Sequence, residues 1–204
     1  MSLGIIDTII RWAGGLSAYI TLGIVFYGLW RGTRRQAGRV TGHAGNWLRS
    51  PWFYLITSII FFGISILGWI PLPWKVSPQT RLGMLILGSL FFFPGMSLVL
   101  WGRLALGKNY FVSTSMGAQL FAGQPLVTSG PFAILRHPMY AGLILAAFGS
   151  FFIYYTWTTL LFAIFAPTIA FRARREEVTL AAEFGEEWQE YCKRVPAFFP
   201  GRRR

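Results

Sequence analysis

Residues 139–171 read MYAGLILAAFGSFFIYYTWTTLLFAIFAPTIAF, and none of these 33 side chains is charged. A transmembrane helix needs about 20 residues to cross the hydrocarbon of a bilayer, so this stretch is too long for one crossing and short for two. We predict a helical hairpin that turns near residues 156–159 and makes two short crossings. The alternative is one long, tilted helix. The choice decides on which side of the membrane the C-terminal residues lie.

The rest of the chain has the composition of a membrane protein. It has 204 residues, of which 54% are hydrophobic and 13% are charged, whereas soluble domains carry about 25% charged residues. Further apolar stretches at 12–30, 52–70 and 82–101 suit one crossing each, and Pro94 is expected to kink the third. We predict an all-α integral membrane protein with about five transmembrane helices and a cytoplasmic C-terminal amphipathic helix. Residues 1–204 form one membrane domain, 1–102 supply its N-terminal helices, and 31–50 form a polar loop.

Basic residues outside these stretches predict the orientation of the chain. Five follow the first helix, two lie between the second and third, three lie between the third and fourth, and eight follow the last. Positive residues favour the cytoplasm, so we expect the N-terminus outside, the C-terminus in the cytoplasm and the active site at the cytoplasmic face. One long helix in place of the hairpin would put the last eight basic residues outside, which the charge rule disfavours.

Composition also argues against several classes of function. The net charge is +12, but the basic residues lie between apolar stretches, so we expect membrane lipids rather than nucleic acid as the counter-charge. The single Cys and two His have no metal-ligand spacing and allow no internal disulfide. We expect no metal and no cleaved signal peptide. No dinucleotide fingerprint, P-loop or G-x-S-x-G motif is present.

The motif RHP at 136–138 marks the start of the fourth helix. Pro138 suits the first helical position, where a missing N–H costs nothing. The free N–H groups and the positive dipole end of that helix would suit a carboxylate or phosphate, with His137 and Tyr140 beside it. The alternative is that Arg136 reaches lipid phosphate, His137 caps the helix and Tyr140 anchors it at the interface. The turn residues of PLVTSGPF (125–132) would either contact a planar ring or form an ordinary connector.

The segment 171–196 predicts an amphipathic helix that packs against the protein. Its apolar residues recur at helical spacing: Leu180, Phe184, Trp188, Tyr191 and Val195. Arg172 and Glu176 continue this face toward the membrane end, where they would form an ion pair, form a solvated face or face a site. Periodicity does not choose between Glu176 and Glu177.

Four motifs in this order resemble one family of membrane enzymes. They are LVTSGPF (126–132), RHPMY (136–140), R-x-x-x-EE-x-x-L (172–180) and FGEEWQEYCKRVP (184–196). Together they resemble the isoprenylcysteine carboxyl methyltransferases, which are related to the phospholipid methyltransferases. The resemblance covers residues 103–200, and it implies a methyltransferase core there that uses S-adenosylmethionine and a lipophilic or lipidated acceptor.

The resemblance also implies a role for individual residues. Main-chain groups of four residues would line the adenosine: Gln124, Pro125, Leu126 and Val127. Four more would hold the methionine end and the sulfonium: His137, Pro138, Met139 and Tyr140. Glu176 would bind the amino group of the cofactor, and Arg172 would orient the carboxylate to be methylated.

Two departures from the family leave the acceptor open. Phe132 stands in the pocket where the family often has Tyr, and Gln124 stands where it often has His. The acceptor could therefore be a prenylcysteine-like carboxylate, a phospholipid amine or a thiol. The C-terminal segment is also similar to that of sterol reductases, which use NADPH, but those enzymes usually carry an Arg-Asp pattern where this chain has Arg175-Glu176-Glu177. A membrane scaffold without catalysis is the non-enzymatic alternative.

Overall fold

The chain folds into a helical bundle with one small sheet. The computed structural model describes residues 2–34, 37–42, 50–110, 117–121 and 123–198. In these residues there are six α-helices: α1 Leu3–Thr33, α2 Pro51–Leu67, α3 Pro78–Leu106, α4 Pro138–Tyr154, α5 Trp157–Phe165 and α6 Ile169–Arg194. Short 3-10 turns lie at Gly107–Asn109, Gly130–Ala133 and Ala166–Thr168. The predicted helical architecture is confirmed at this level.

Two short strands were not predicted. β1 (Ala37–Gly42) pairs with β2 (Gly117–Phe121) in antiparallel register, with Val40 opposite Gln119. The prediction of a polar loop over 31–50 is therefore wrong for 37–42. A local loop prediction cannot detect a partner strand that follows about 75 residues later in the sequence. The sheet lies against α6, and β2 leads directly into residues 123–127.

Two of the described helices are long and apolar enough to cross a membrane. They cover Leu3–Arg31 and Pro78–Asn109, while α2 and α4 have 17 residues each. The predicted start of the first helix at residue 12 is too late, since α1 begins at Leu3. α3 continues through Pro94. The number of crossings, the orientation and the division of the chain at residue 102 stay predictions.

Ion pairs at one end of the bundle fix the helix directions. Arg81, in the first turn of α3, donates to the carbonyl oxygens of Phe152 (2.9 Å) and Ile153 (2.6 Å) at the end of α4. The same guanidinium pairs with Asp7 near the start of α1 at 2.5 Å. Since a helix end leaves carbonyls without partners, Arg81 satisfies two of them. α1 and α3 therefore run parallel, and α4 runs antiparallel to both.

The charge-free stretch forms a helical hairpin, as predicted. α4 ends at Tyr154, and Tyr155 adopts a left-handed conformation with φ 55°. Thr156 then caps α5. Its Oγ1 accepts from the N–H of Thr159, and its own N–H donates to the Oγ1 of Thr159. This capping box starts a new helix directly after the turn. The chain returns so that Glu177 contacts His137, which immediately precedes α4.

Glycines hold α3 and α4 at close range. On α3 they recur every seven residues, at Gly88, Gly95 and Gly102, and on α4 they stand at Gly142 and Gly149. A methyl group built on Gly142 would lie 2.5 Å from the carbonyl oxygen of Gly95, and one built on Gly95 would lie 2.7 Å from that of Gly142. Small residues let helix backbones approach in this way inside membranes. This contact fixes the start of α4 relative to the end of α3.

The C-terminal helix packs on the protein through its apolar face. Trp188, Tyr191 and Val195 are buried together, with Leu126 against them. This confirms the predicted packing. α6 also has a break that was not predicted, at Gly185, whose φ of 52° favours glycine.

Candidate functional site

A cavity of about 280 Å³ lies where α3 ends, α4 begins and α6 passes over them. All eleven residues that the sequence assigned to a site line it: Gln124, Pro125, Leu126, Val127, Phe132, His137, Pro138, Met139, Tyr140, Arg172 and Glu176. They come from two stretches of the sequence, 124–140 and 172–176. The structure therefore brings the whole predicted set together, while their individual roles stay predictions.

Other lining residues were not assigned to the site from the sequence. They are Leu106, Asn109, Tyr110, Arg136, Leu143, Ile169, Leu180, Phe184, Trp188 and Tyr191. Helical periodicity identified the last four as an apolar face but gave no sign that the face also forms a cavity wall. Tyr110 has no motif around it, and only the end of α3 brings it to the site.

Arg136 and His137 converge on one carboxylate, that of Glu177. The Nε of Arg136 lies 3.0 Å from Oε1 of Glu177, and its Nη2 lies 2.9 Å away. The Nε2 of His137 lies 2.9 Å from the same oxygen. His137 is buried, and its side chain makes no capping bond to α4 although it occupies the N-cap position. The side chain of His137 therefore does not cap α4. Arg136 pairs with Glu177 instead of reaching out to lipid phosphate.

The C-terminal tail is held against the same two residues. The N–H groups of Arg136 and His137 donate to the carbonyl oxygens of Pro196 (2.9 Å) and Ala197 (3.1 Å). Arg136 also donates through Nη1 to Val195 at 2.8 Å. The ring of Phe198 stacks on that of His137 with centroids 5.4 Å apart. The tail thus covers one face of the His137 ring.

Neighbouring glutamates in α6 have different surroundings. Glu177 carries the contacts to Arg136 and His137, whereas Glu176 lines the cavity. Within the described ranges, the side chains of Arg172 and Glu176 make no hydrogen bond or ion pair with each other or with another residue. The alternative of an i, i+4 ion pair between them is therefore absent. Glu176 is left half-buried in the wall with its carboxylate available.

Glu177 is held in its ionised form. Burial by itself raises the pKa of this carboxyl, but the hydrogen bonds and positive charge of His137 and Arg136 outweigh it and leave the pKa below its usual value. A carboxylate that accepts several charged or polar donors behaves in this way. Glu177 is thus a structural anion that joins α6 to the start of α4.

We expect Glu177→Gln to destabilise the protein in a pH-dependent way. A lowered pKa in the folded state gives stability that is present above the unfolded pKa and is lost as pH falls through the folded one. The loss in the free energy of unfolding should be full at pH 7 and should shrink below about pH 4.5, where the unfolded carboxyl begins to protonate. Denaturant titrations of both proteins between pH 7 and pH 3 measure it. A loss that stays the same across this range would contradict the assignment, and Glu186→Gln is the exposed control.

A second cavity, of about 510 Å³, adjoins the first. It is lined by Phe165, Ala166, Thr168, Ile169, Phe171, Arg172 and Arg175. Arg172 and Ile169 line both cavities. Phe165 and Phe171 are exposed, so this cavity has an apolar side beside its two arginines. Among the described residues, no group of three His, Cys, Asp or Glu could hold a metal ion.

Comparison with known proteins finds three partial matches to this chain. The chain is 35% identical over 85 residues to the protein-S-isoprenylcysteine O-methyltransferase of Schizosaccharomyces pombe, which is 37% of this chain and 33% of that protein. It is 38% identical over 80 residues to the cobalt-zinc-cadmium resistance protein CzcN of Cupriavidus metallidurans. This match covers 37% of this chain and 35% of that protein. It is 36% identical over 86 residues to the Delta(14)-sterol reductase TM7SF2 of Mus musculus. This match covers 36% of this chain and 18% of that protein.

These relatives match along only part of their length. The similarity spans about a third of the first two proteins and less than a fifth of the third. The pattern of the phospholipid methyltransferase family, by contrast, matches residues 84–187, which is half of this chain. That range contains α4, the RHP motif, both glutamates and most of the cavity wall. The chain therefore belongs to the phospholipid methyltransferase family.

Proposed function

We propose that the protein is a membrane methyltransferase that transfers the methyl group of S-adenosylmethionine to a lipophilic acceptor. The observation that carries this proposal is Glu176, a half-buried carboxylate in the cavity wall that has no partner among the described residues. A buried charge is costly unless it is paired. The ligand of this cavity should therefore supply a positive charge, which the ammonium of S-adenosylmethionine does.

The remaining wall suits the other parts of the cofactor. α4 begins at Pro138, and the positive end of its helix dipole points to this part of the cavity, where it suits a carboxylate. The rings of Phe132 and Tyr140 offer faces to a sulfonium cation. When bound, S-adenosylmethionine supplies the activated methyl group. The chain binds both charged ends, aligns the acceptor and excludes water, which are the main requirements of an in-line displacement.

NADPH is the main rival ligand, since one relative is a sterol reductase. NADPH is strongly anionic and would need cations for its phosphates. Of the two arginines in the first cavity, Arg136 is already bound to Glu177, and Glu176 adds a negative charge. The charge of this wall therefore favours a ligand with a cationic group over NADPH.

The acceptor is proposed to lie in the second cavity, with Arg172 between it and the cofactor. Two arginines and no acidic residue line that cavity, so an anionic group is attracted there and an ammonium is repelled. The exposed Phe165 and Phe171 suit an apolar tail that arrives from the bilayer. These features support a lipid carboxylate, such as that of a prenylcysteine-like substrate, over a phospholipid amine or a thiol.

A carboxylate acceptor also needs no general base from the wall. A carboxylate is ionised at pH 7 and can attack directly, whereas an amine must first lose a proton. His137, the one histidine in the described wall, is engaged with Glu177, and Glu176 is proposed to bind the ammonium of the cofactor. In this proposal the end of the bundle that carries the cavity faces the cytoplasm, where the cofactor is made.

Calorimetric titration of the purified protein in detergent tests this proposal. S-adenosylmethionine, its demethylated product and NADPH are titrated in turn. We expect micromolar binding of the first two and none of NADPH. Binding of NADPH alone would replace the proposal with a reductase, and binding of none of the three would support a scaffold.

A further inference from the structure

Arg103 is a buried arginine that the proposed chemistry does not use. It lies near the end of α3, is 7% exposed and does not line either cavity. Its Nη1 donates to the carbonyl oxygen of Gly107 at 3.1 Å, while its buried Nε has no hydrogen-bond partner in the described residues. Burying a guanidinium with one unsatisfied nitrogen is costly. Such a cost suggests that the position of this group has a use.

One face of the guanidinium rests on α1. A methyl group built on Gly28 would overlap Nη2 of Arg103 and would lie 2.6 Å from Cζ and 2.7 Å from Nε. The whole guanidinium therefore occupies the space that a side chain at Gly28 would fill. Gly28 is buried, and the end of α1 packs on the 3-10 turn Gly107–Asn109.

The guanidinium also covers the ring of Tyr110, which belongs to the cavity wall. The Cζ of Arg103 lies 4.4 Å from the ring centroid of Tyr110, a cation–π distance. Tyr110 is 8% exposed and lines the first cavity together with Glu176. Burial raises the pKa of Tyr110 to about 12, the charge of Arg103 opposes the rise and that of Glu176 adds to it. Tyr110 thus contacts the arginine and shares the cavity wall with the carboxylate proposed to bind the cofactor.

We propose that Arg103, seated on Gly28, is a positioning residue that holds Tyr110 in the cofactor wall. Through this contact α1, which lies outside the range that matches the family, sets the affinity of the site. The ring of Tyr110 closes the side of the cavity next to Glu176, so a displaced ring admits water to the carboxylate and weakens its pairing with a cation. The effect on cofactor affinity rests on the proposed function, whereas the position of Tyr110 does not.

Gly28→Ala and Gly23→Ala form a matched pair for the test. Both are in α1, but a methyl group at Gly23 meets no atom within 4 Å. The position of Tyr110 is followed by fluorine NMR of protein in which 3-fluorotyrosine replaces the eight tyrosines. The resonance that disappears in Tyr110→Phe is the resonance of Tyr110. We expect Gly28→Ala to move this resonance and Gly23→Ala to leave it in place, with or without cofactor. Arg103→Lys should also move the Tyr110 resonance. It keeps the positive charge and introduces no clash, but it removes the planar guanidinium that covers the Tyr110 ring.

Cofactor affinity is measured on the same variants by calorimetry. We expect Gly28→Ala to weaken S-adenosylmethionine binding about fivefold, which corresponds to the loss of one cation–π contact. In a Tyr110→Ala background Gly28→Ala should cause no further loss, because the two changes act through one ring. An unmoved resonance in both Gly28→Ala and Arg103→Lys, or an additive loss of affinity, would overturn the inference. A wild-type protein that binds no S-adenosylmethionine would remove the proposed function, and the resonance alone would then decide whether Arg103 holds Tyr110.

Discussion

Gly149→Ala should lower the free energy of unfolding by about 3 kcal/mol, although it adds a single methyl group. That methyl would overlap the backbone nitrogen of Phe92 and would lie 2.6 Å from its Cα and 2.7 Å from the carbonyl oxygen of Gly88. All three atoms are backbone, so no side chain can rotate away. α3 and α4 must separate, and the buried contacts of Phe92 and Ile153 weaken with them.

Denaturant titration in mixed micelles measures this change, and Gly83→Ala is its control. Gly83 is in α3, the helix that faces Gly149 of α4, but a methyl group at Gly83 meets no atom within 4 Å. Alanine is the better helix former by roughly 1 kcal/mol, so the control should be neutral or slightly stabilised. Equal unfolding free energies for the two variants would show that the close approach of α3 and α4 does not stabilise the fold. Since α4 carries His137 at its start, we also expect Gly149→Ala to weaken cofactor binding.

Glu176→Gln should reduce affinity for S-adenosylmethionine by about 10- to 100-fold without destabilising the protein. The estimate is the loss of a charge-assisted hydrogen bond, about 1.5–3 kcal/mol. The fold should tolerate the change because Glu176 has no partner among the described side chains whose loss would matter. Removing an unpaired carboxylate should even stabilise the free protein slightly.

Calorimetry and denaturant titration on three variants separate the two glutamates. Glu176→Gln should lose affinity and keep its stability. In Glu177→Gln the main effect should be a lower free energy of unfolding, since the change breaks the contacts to Arg136 and His137. Glu186→Gln, on an exposed part of the same helix, should change neither property. If Glu176→Gln bound the cofactor as tightly as the wild type, the assignment of the ammonium site would be wrong.

The sequence predicted the parts of this molecule that depend on local pattern. A 33-residue stretch without charge predicted the hairpin because it is too long for one crossing, and because the basic residues after it favour the cytoplasmic side. Helical spacing predicted the buried face of α6 through Trp188 and Tyr191. Both signals lie within one segment, so no knowledge of the tertiary structure was needed to interpret them.

Features that depend on a distant partner were missed or left open. Spacing alone could not choose between Glu176 and Glu177, because adjacent residues lie 100° apart on a helix and both border the same face. The structure separates them through Arg136, which lies 41 positions before Glu177 in the sequence. The glycines of α3 and α4 did leave a signal, a seven-residue spacing on both helices, but its meaning depends on the two helices being neighbours. Tyr110 and Arg103 left none, since no motif surrounds them.

The backbone pairing of 136–137 with 196–197 has a consequence for the order in which the protein matures. Translation makes the six described helices before it makes the carbonyls of Pro196 and Ala197 that hold Arg136 and His137 in place. Chains also begin to fold while they are still being synthesised. The bundle can therefore insert and pack first, while the ligand pocket is completed only when residues 192–197 dock. A nascent or proteolysed chain that lacks these residues would be a membrane-embedded bundle without a site. Ligand binding would then report on chains in which residues 192–197 have docked, and not merely on chains whose helices have packed.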